Sequence, residues 1–278
     1  MSELWKMNET LLWPQVSPAA RLANFLAGRR QPGRAGLLLL PLAAALSTCG
    51  PKAGCLTKTG PIVTVRRELP TGLRDVYADD NVDLILVQDA AGTVPYAEVR
   101  AGENLIAGLE TKMQGRALYI SNTARCNWVR AYDQPHEITL HVPRLTNIFL
   151  RGSGHIRTEG QFRQDTLFFH LTGSGNLDLR VESRYLWGEQ YELGDVTVQG
   201  TTKLLLLTVG GNGRFFGQNL RAGTCYFSTN RGANGDTHLR VADVLSGTIR
   251  GQGNVYYYGA PVSIGITRVG AGQAQQRP

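Results

Sequence analysis

The chain has 278 residues, 42% hydrophobic and 18% charged, which is enough to bury a sizeable core in one or two domains. With 33 glycines and only 3 methionines, its composition suits a β protein with many turns. The formal charge is +7, but residues 1–48 hold five basic and two acidic groups; the remaining +4 (24 basic, 20 acidic) is scattered, which excludes the clustered basic footprint that a nucleic-acid partner requires.

Arg29, Arg30 and Arg34 precede the apolar run Leu37-Leu38-Leu39-Leu40-Pro41-Leu42-Ala43-Ala44-Ala45-Leu46. A basic flank followed by roughly ten apolar residues ending in small ones is the pattern of a secretory signal, too short to anchor in a bilayer. Residues 1–48 are therefore predicted to be a signal peptide with an over-long N-terminus. The segment closes on Leu46-Ser47-Thr48-Cys49, which resembles the lipobox of bacterial lipoproteins. That resemblance implies a lipid on Cys49 and an exported protein anchored to the outer membrane, on its periplasmic or cell-surface side; plain secretion with cleavage near Ala45 is the alternative. In an oxidising envelope Cys55 and Cys126 are the expected disulfide pair, and Cys225 is left as a buried free thiol. No Cys/His spacing suits zinc, and no cofactor is expected.

A lipidated linker over residues 49–60 leads to strand-like runs at 62–65, 82–87, 97–99, 117–120 and 137–142, with turn signals at Asp79-Asp80-Asn81 and Gln114-Gly115. From Leu150 onward a Gly-x-Gly motif repeats. It reads Gly152-Ser153-Gly154, Gly173-Ser174-Gly175, Gly211-Asn212-Gly213, Gly251-Gln252-Gly253 and Gly270-Ala271-Gly272, with weaker copies at Glu192-Leu193-Gly194 and Asn230-Arg231-Gly232. The second glycines recur in steps of 21, 19, 19, 19, 21 and 19 residues, and a fixed period near 20 is the mark of a solenoid. Alternating segments such as Asn176-Leu177-Asp178-Leu179-Arg180-Val181 make the units β, and an apolar residue (Leu150, Leu171, Val209, Ile249) sits two places before the first glycine in four copies. Glycine supplies positive φ without a Cβ clash, which suggests a bend at each corner. Asn230 tolerates that conformation; Glu192 does not, so its corner should differ or be strained, and Asn234-Gly235 is an alternative corner near 232. The expectation is an all-β parallel solenoid with coils of about 19–21 residues over 61–272, an N-terminal β cap, and a flexible tail over 273–278. Ordinary hairpin turns of an antiparallel sandwich are the competing reading.

The five histidines fall in different strands and corners, and Ser153 and Ser174 lack the strand–turn–helix setting of a nucleophile elbow. Asp79, Asp80 and Asp83 could line a cation site or a hydrolytic pair, but a solvated turn is the simpler account; Asp178, Asp195 and Asp236 lack the nonapeptide repeat of a calcium ladder. No catalytic residue and no metal site is assigned. Aromatic clusters offer more: Tyr256-Tyr257-Tyr258, Trp128 with Tyr132, and Tyr185 with Trp187 suit a flat platform for a glycan or protein ligand. Strand alternation puts Tyr256 and Tyr258 on one face, the candidate ligand face, and Tyr257 on the other.

Cys55 with Gly60-Pro61-Ile62-Val63, Ala101-Gly102-Glu103-Asn104-Leu105, Cys126-Asn127-Trp128 and the closing Gly253-Asn254-Val255-Tyr256-Tyr257-Tyr258-Gly259-Ala260-Pro261 resemble the bacterial head-GIN-domain lipoproteins, also called auto-transporter adhesins. The resemblance implies a β-solenoid, an envelope location and adhesion, and it carries no catalytic residue. Three functions remain in view. The first is a non-enzymatic envelope lipoprotein for adhesion, binding or scaffolding; the others are a polysaccharide-active β-helix enzyme and an envelope sensing protein.

Overall fold

The computed structural model describes residues 59–124 and 135–278. The proposed signal segment, Cys49, Cys55, Cys126, Trp128 and Tyr132 lie outside the described residues. Among the described residues seventeen strands form one continuous hydrogen-bonded system that coils into a parallel β-solenoid. One ladder, sheet A, runs from β6 (Ala117–Asn122) through β2 (Asp75–Ala78) and β8 (Asn147–Leu150). It continues through the C-terminal halves of β10 (Phe162–Leu171), β11 (Asn176–Gln190), β12 (Val196–Val209), β13 (Phe215–Thr229) and β14 (Thr237–Ile249) to β16 (Ser263–Arg268). A second ladder, sheet B, runs from β7 (Glu137–Val142) through β3 (Asp83–Gln88), β9 (His155–Glu159) and the N-terminal ends of β11 to β14, ending on β15 (Val255–Tyr258) and β17 (Ala274–Arg277). The leading part of β10 and the middle parts of β11 to β14 form a third face between them.

The N-terminal end is closed by antiparallel strands. β1 (Ile62–Glu68) pairs with β4 (Tyr96–Gly102), β4 pairs with β7, and β5 (Leu109–Gln114) pairs with β6. Winding there is not monotonic: the coil of β2 and β3 lies between that of β6 and β7 and that of β8 and β9. Sequence order alone predicts neighbours in order, so this insertion is legible only from the pairing. The segment expected to be a tail also differs: Ala274–Arg277 is strand β17, held by the unpaired backbone edge that β15 offers it.

The glycines at the corners are required for a different reason from the one expected. Of the corner glycines only Gly211 lies at positive φ, at 75°. The others are needed because neighbouring coils touch through them. A Cβ on Gly154 would meet the Val82 carbonyl oxygen at 1.9 Å, one on Gly175 that of Gly154 at 1.9 Å, and one on Gly194 that of Gly175 at 1.8 Å. The column continues with Gly213, Gly235, Gly253 and Gly272, each against the one before it. Gly235 is thus the true corner near 230, while a Cβ on Gly232 would meet nothing within 4 Å.

Inside the corners runs an apolar column, Ala78–Leu150–Leu171–Gln190–Val209–Thr229–Ile249. Its two polar members, both buried, fall in the two irregular copies. Gln190 donates from Nε2 to the carbonyls of Gly194 (2.8 Å) and Arg214 (3.0 Å), and the Thr229 hydroxyl accepts from the Arg250 N–H at 3.0 Å. Side-chain hydrogen bonds thereby tie down corners whose backbone departs from the repeat. Glu192 itself sits at φ 69°, the strained corner its sequence implied, with its side chain exposed. Strain of this kind costs about 1–3 kcal/mol, partly offset by the entropy that glycine loses. Glu192→Gly is therefore expected to raise stability by about 1 kcal/mol, read as a higher urea midpoint at unchanged slope; a lower midpoint would refute the strain account.

Candidate ligand-binding faces

Coil register stacks like positions into rows across the outside of sheet A. One row reads Phe168–Trp187–Leu206–Tyr226, and the next reads Tyr119–Tyr77–Phe149–His170–Glu189–Thr208–Ser228–Thr248. Trp187 is 41% and Tyr226 48% exposed, with Leu206 half-buried between them and Tyr185, 44% exposed, beside them. Phe168 and Trp187 rings lie 5.6 Å apart. Toward the cap the second row is a continuous stack, with centroids 4.6 Å apart for Tyr119 and Tyr77, 4.2 Å for Tyr77 and Phe149, and 4.3 Å for Phe149 and His170. Arg151 lies 4.9 Å from the Tyr77 centroid, and its Nε and Nη2 each bond a different Asp79 carboxylate oxygen at 2.7 Å. That hydrogen bond raises the Arg151 pKa, and burial raises that of the Tyr77 phenol. This end of the second row is held by stacking and by the Asp79–Arg151 pair, whereas Trp187 and Tyr226 in the first row are exposed.

The third face is charged. Arg163 pairs with Glu182 at 3.0 Å and Arg184 with Asp165 at 3.4 Å, with Lys203 alongside. A shallow groove of about 500 Å³ opens next to it, between Gln88, Asp89, Pro143, Arg144, Arg163 and Asp165.

Sheet B carries the tyrosines expected to form a ligand face. Tyr256 and Tyr258 point outward, while Tyr257 packs against the core, as strand alternation requires. They gather around His238, whose Nδ1 is 3.1 Å from the Tyr258 hydroxyl and whose ring is 5.0 Å from Tyr256 and 5.6 Å from Phe216. Arg277 lies 4.6 Å over Tyr256, Arg240 5.7 Å over Tyr258 and Arg214 5.2 Å over Phe216. Burial holds the His238 imidazole below its ordinary pKa; Asp236 opposes this, and the charges of Arg277 and Arg214 add to it. Because the hydroxyls and ring faces here already have partners, this cluster offers less free recognition surface than sheet A.

The carboxylates considered for chemistry are used structurally. Asp79 holds Arg151, Asp80 accepts the Asn122 N–H at 2.9 Å, and Asp83 accepts the His155 N–H at 2.8 Å. Beyond the corner glycines, Asn176, Asp195, Asp236 and Asn254 each accept a backbone N–H of the next coil, from Asp195 (2.9 Å), Arg214 (2.7 Å), Asn254 (2.9 Å) and Gln273 (3.0 Å). The column of acids and amides is thus a hydrogen-bonded seam between coils. Asp178 lies off it, paired in register with Thr197 on sheet B. Among the described residues no group of three or more His, Cys, Asp or Glu is placed to hold a metal ion. Cys225 is fully buried, and burial pushes its thiol pKa far up, so it is not a nucleophile in the folded chain.

Sequence reading singled out Tyr185 and Trp187 but missed Phe168 and Tyr226 as their neighbours. The signal was present: steps of 19, 19 and 20 residues carry Phe168 to Trp187, Leu206 and Tyr226, but only an aligned coil register reveals it.

No curated protein matches the chain. Among solved structures, a "putative adhesin" from Bacteroides fragilis is 21% identical over 78% of this chain and 97% of its own, with a TM-score of 0.71. A "putative lipid binding protein" from Parabacteroides distasonis is 18% identical, covering 80% of this chain and 98% of its own, with a TM-score of 0.62. A "putative adhesin" from Parabacteroides merdae is 17% identical at the same coverage, with a TM-score of 0.57. At these identities they establish the fold alone. The family model described as "Putative auto-transporter adhesin, head GIN domain" matches residues 73–261, from the buried Leu73 before β2 to Pro261 beyond β15. The chain belongs to that head-GIN-domain family.

Proposed function

We propose that this chain is a non-catalytic recognition module of the cell envelope, of adhesion type, which binds an extended ligand along the outer surface of sheet A. The observation that carries it is the row Phe168–Trp187–Leu206–Tyr226, in which Trp187 and Tyr226 are exposed on a regularly spaced surface. Soluble proteins seldom leave such side chains contiguous and uncovered without a partner. Family membership supports adhesion, and the leader-like residues 1–48 with Cys49 support presentation from the outer membrane on a lipid tether. A Cys55–Cys126 disulfide, expected in an oxidising envelope, belongs to the same proposal.

A glycan and matrix-protein array compares the full chain with two double variants. Trp187→Ala with Tyr226→Ala is expected to abolish saturable binding. Tyr256→Ala with Tyr258→Ala is expected to leave it within about threefold, because an effect below about 0.7 kcal/mol is what a surface away from the contact gives. Loss confined to the second pair would move the site to sheet B and overturn the sheet A reading.

A further inference from the structure

We infer that the ligand of sheet A is an extended, uncharged polysaccharide of equatorially linked pyranose rings, lying along the solenoid axis with alternate sugars on Trp187 and Tyr226. The inference rests on the recognition reading above and gives it a chemical class.

Three observations point to it. The first is spacing. Trp187 pairs in register with Leu206 and Leu206 with Tyr226, so the two exposed rings are two coil steps apart in one row. Parallel strands stack at about 4.8 Å, which puts the rings about 10 Å apart along the axis. In a flat chain of equatorially linked pyranoses each sugar is turned over relative to the last, so the same ring face recurs at every second residue, at about this distance. Leu206, half-buried between the rings, leaves a shallow step beneath the intervening sugar.

The second is the chemistry of the flanks. On the C-terminal side of the aromatic row, each coil presents a small or polar group: His170, Glu189, Thr208, Ser228 and Thr248 in register. A pyranose needs an apolar platform for its axial C–H face and hydrogen-bonding groups for its equatorial hydroxyls at the rim, and the two rows supply that pairing side by side. An acyl chain would gain nothing from the polar row. A peptide strand would need a free sheet edge for its backbone, and this is a face.

The third is charge. Most ionic side chains beside this face are engaged locally: His170 Nδ1 lies 3.1 Å from Glu189, and on the adjoining face Arg163 pairs with Glu182 at 3.0 Å and Arg184 with Asp165 at 3.4 Å. Arg250 donates to the Ser228 hydroxyl at 2.7 Å, which leaves Lys203 on the adjoining face. Among the described residues Lys203 and Arg250 stand singly on opposite sides of the face and form no continuous basic stripe to select uronates or sulfated sugars, so an uncharged polymer fits best.

The test is calorimetric titration of the full chain with cellohexaose and chitohexaose, with maltohexaose as the axially linked control. At least one of the first two is expected to bind, at least tenfold more tightly than its disaccharide, because only a longer chain spans both rings. Maltohexaose should bind at least tenfold more weakly. Trp187→Ala and Tyr226→Ala should each lower affinity at least tenfold, and Trp187→Phe should restore most of it, while Tyr256→Ala, on sheet B, should not change it. Circular dichroism confirms that the variants are folded, which their exposed positions favour. Binding of a protein or peptide that depends on Trp187 and Tyr226, with no response to either oligosaccharide, would overturn the polysaccharide inference and leave the recognition reading standing. Binding of any ligand that ignores both residues would overturn the recognition reading itself.

Discussion

Gly175→Ala is expected to destabilise the solenoid by at least about 3 kcal/mol, or to prevent folding. The added Cβ would sit 1.9 Å from the Gly154 carbonyl oxygen, and backbone of the adjacent coil cannot yield without breaking its own ladder. Overpacking in a core usually costs about 1–3 kcal/mol when side chains can shift, and here the obstacle is main chain. The carbonyl in the way belongs to a column of identical contacts, so a displacement at Gly175 is passed on to Gly154 on one side and Gly194 on the other. Gly232→Ala is the paired control. It alters a glycine of the same sequence repeat, at an ordinary φ, where a Cβ meets nothing within 4 Å, and should stay within about 0.5 kcal/mol of the parent. Urea unfolding of both variants checks the pair. Equal effects would mean that the glycines act through chain flexibility and not through contact between coils.

That contrast shows what was legible in the sequence. The period near 20 and the alternation of apolar residues reveal coil length, parallel stacking and the inward positions Leu150, Leu171, Val209 and Ile249, because these are properties of one coil repeated. Properties that exist only between coils were hidden. Gly232 and Gly235 compete as the corner until the carbonyl of Gly213 is placed beneath Gly235. The inserted coil of β2 and β3 could not be read because its neighbours are about 40 and 70 residues away in the chain, and it has no Gly-x-Gly of its own to mark it. Its corner is made by Asp79-Asp80-Asn81, where Asp80 takes φ 58° and plays the part of a glycine. The binding face was half visible for the same reason. Tyr185 and Trp187 are sequence neighbours, whereas Trp187 and Tyr226 become neighbours only through register.

Phe169 and Gly188 supply the second large effect, and a way to separate ring from backbone. They face each other in register inside sheet A, and the phenyl ring of Phe169 fills the space that a Gly188 side chain would take. A Cβ there would lie 2.1 Å from Cζ of Phe169. The ring is fully buried and runs parallel to that of Phe215, with centroids 6.4 Å apart. Phe169→Ala is therefore expected to cost about 3–5 kcal/mol through lost burial and the cavity left behind. Gly188→Ala should cost about 2 kcal/mol or more, but Phe169→Leu, which withdraws the far end of the ring, should remove much of that penalty. A coupling of at least about 1 kcal/mol in the double-mutant cycle is the expected result. Phe227 and Gly247 repeat the arrangement three coils further along the same inward row, Phe169–Gly188–Leu207–Phe227–Gly247, with one difference that matters. A Cβ on Gly247 would meet the Phe227 carbonyl oxygen at 2.3 Å before its ring at 2.6 Å. Shortening that ring leaves the carbonyl in place, so Phe227→Leu should not rescue Gly247→Ala. Rescue at both sites, or at neither, would show that the close approach of the coils is not what fixes these two glycines.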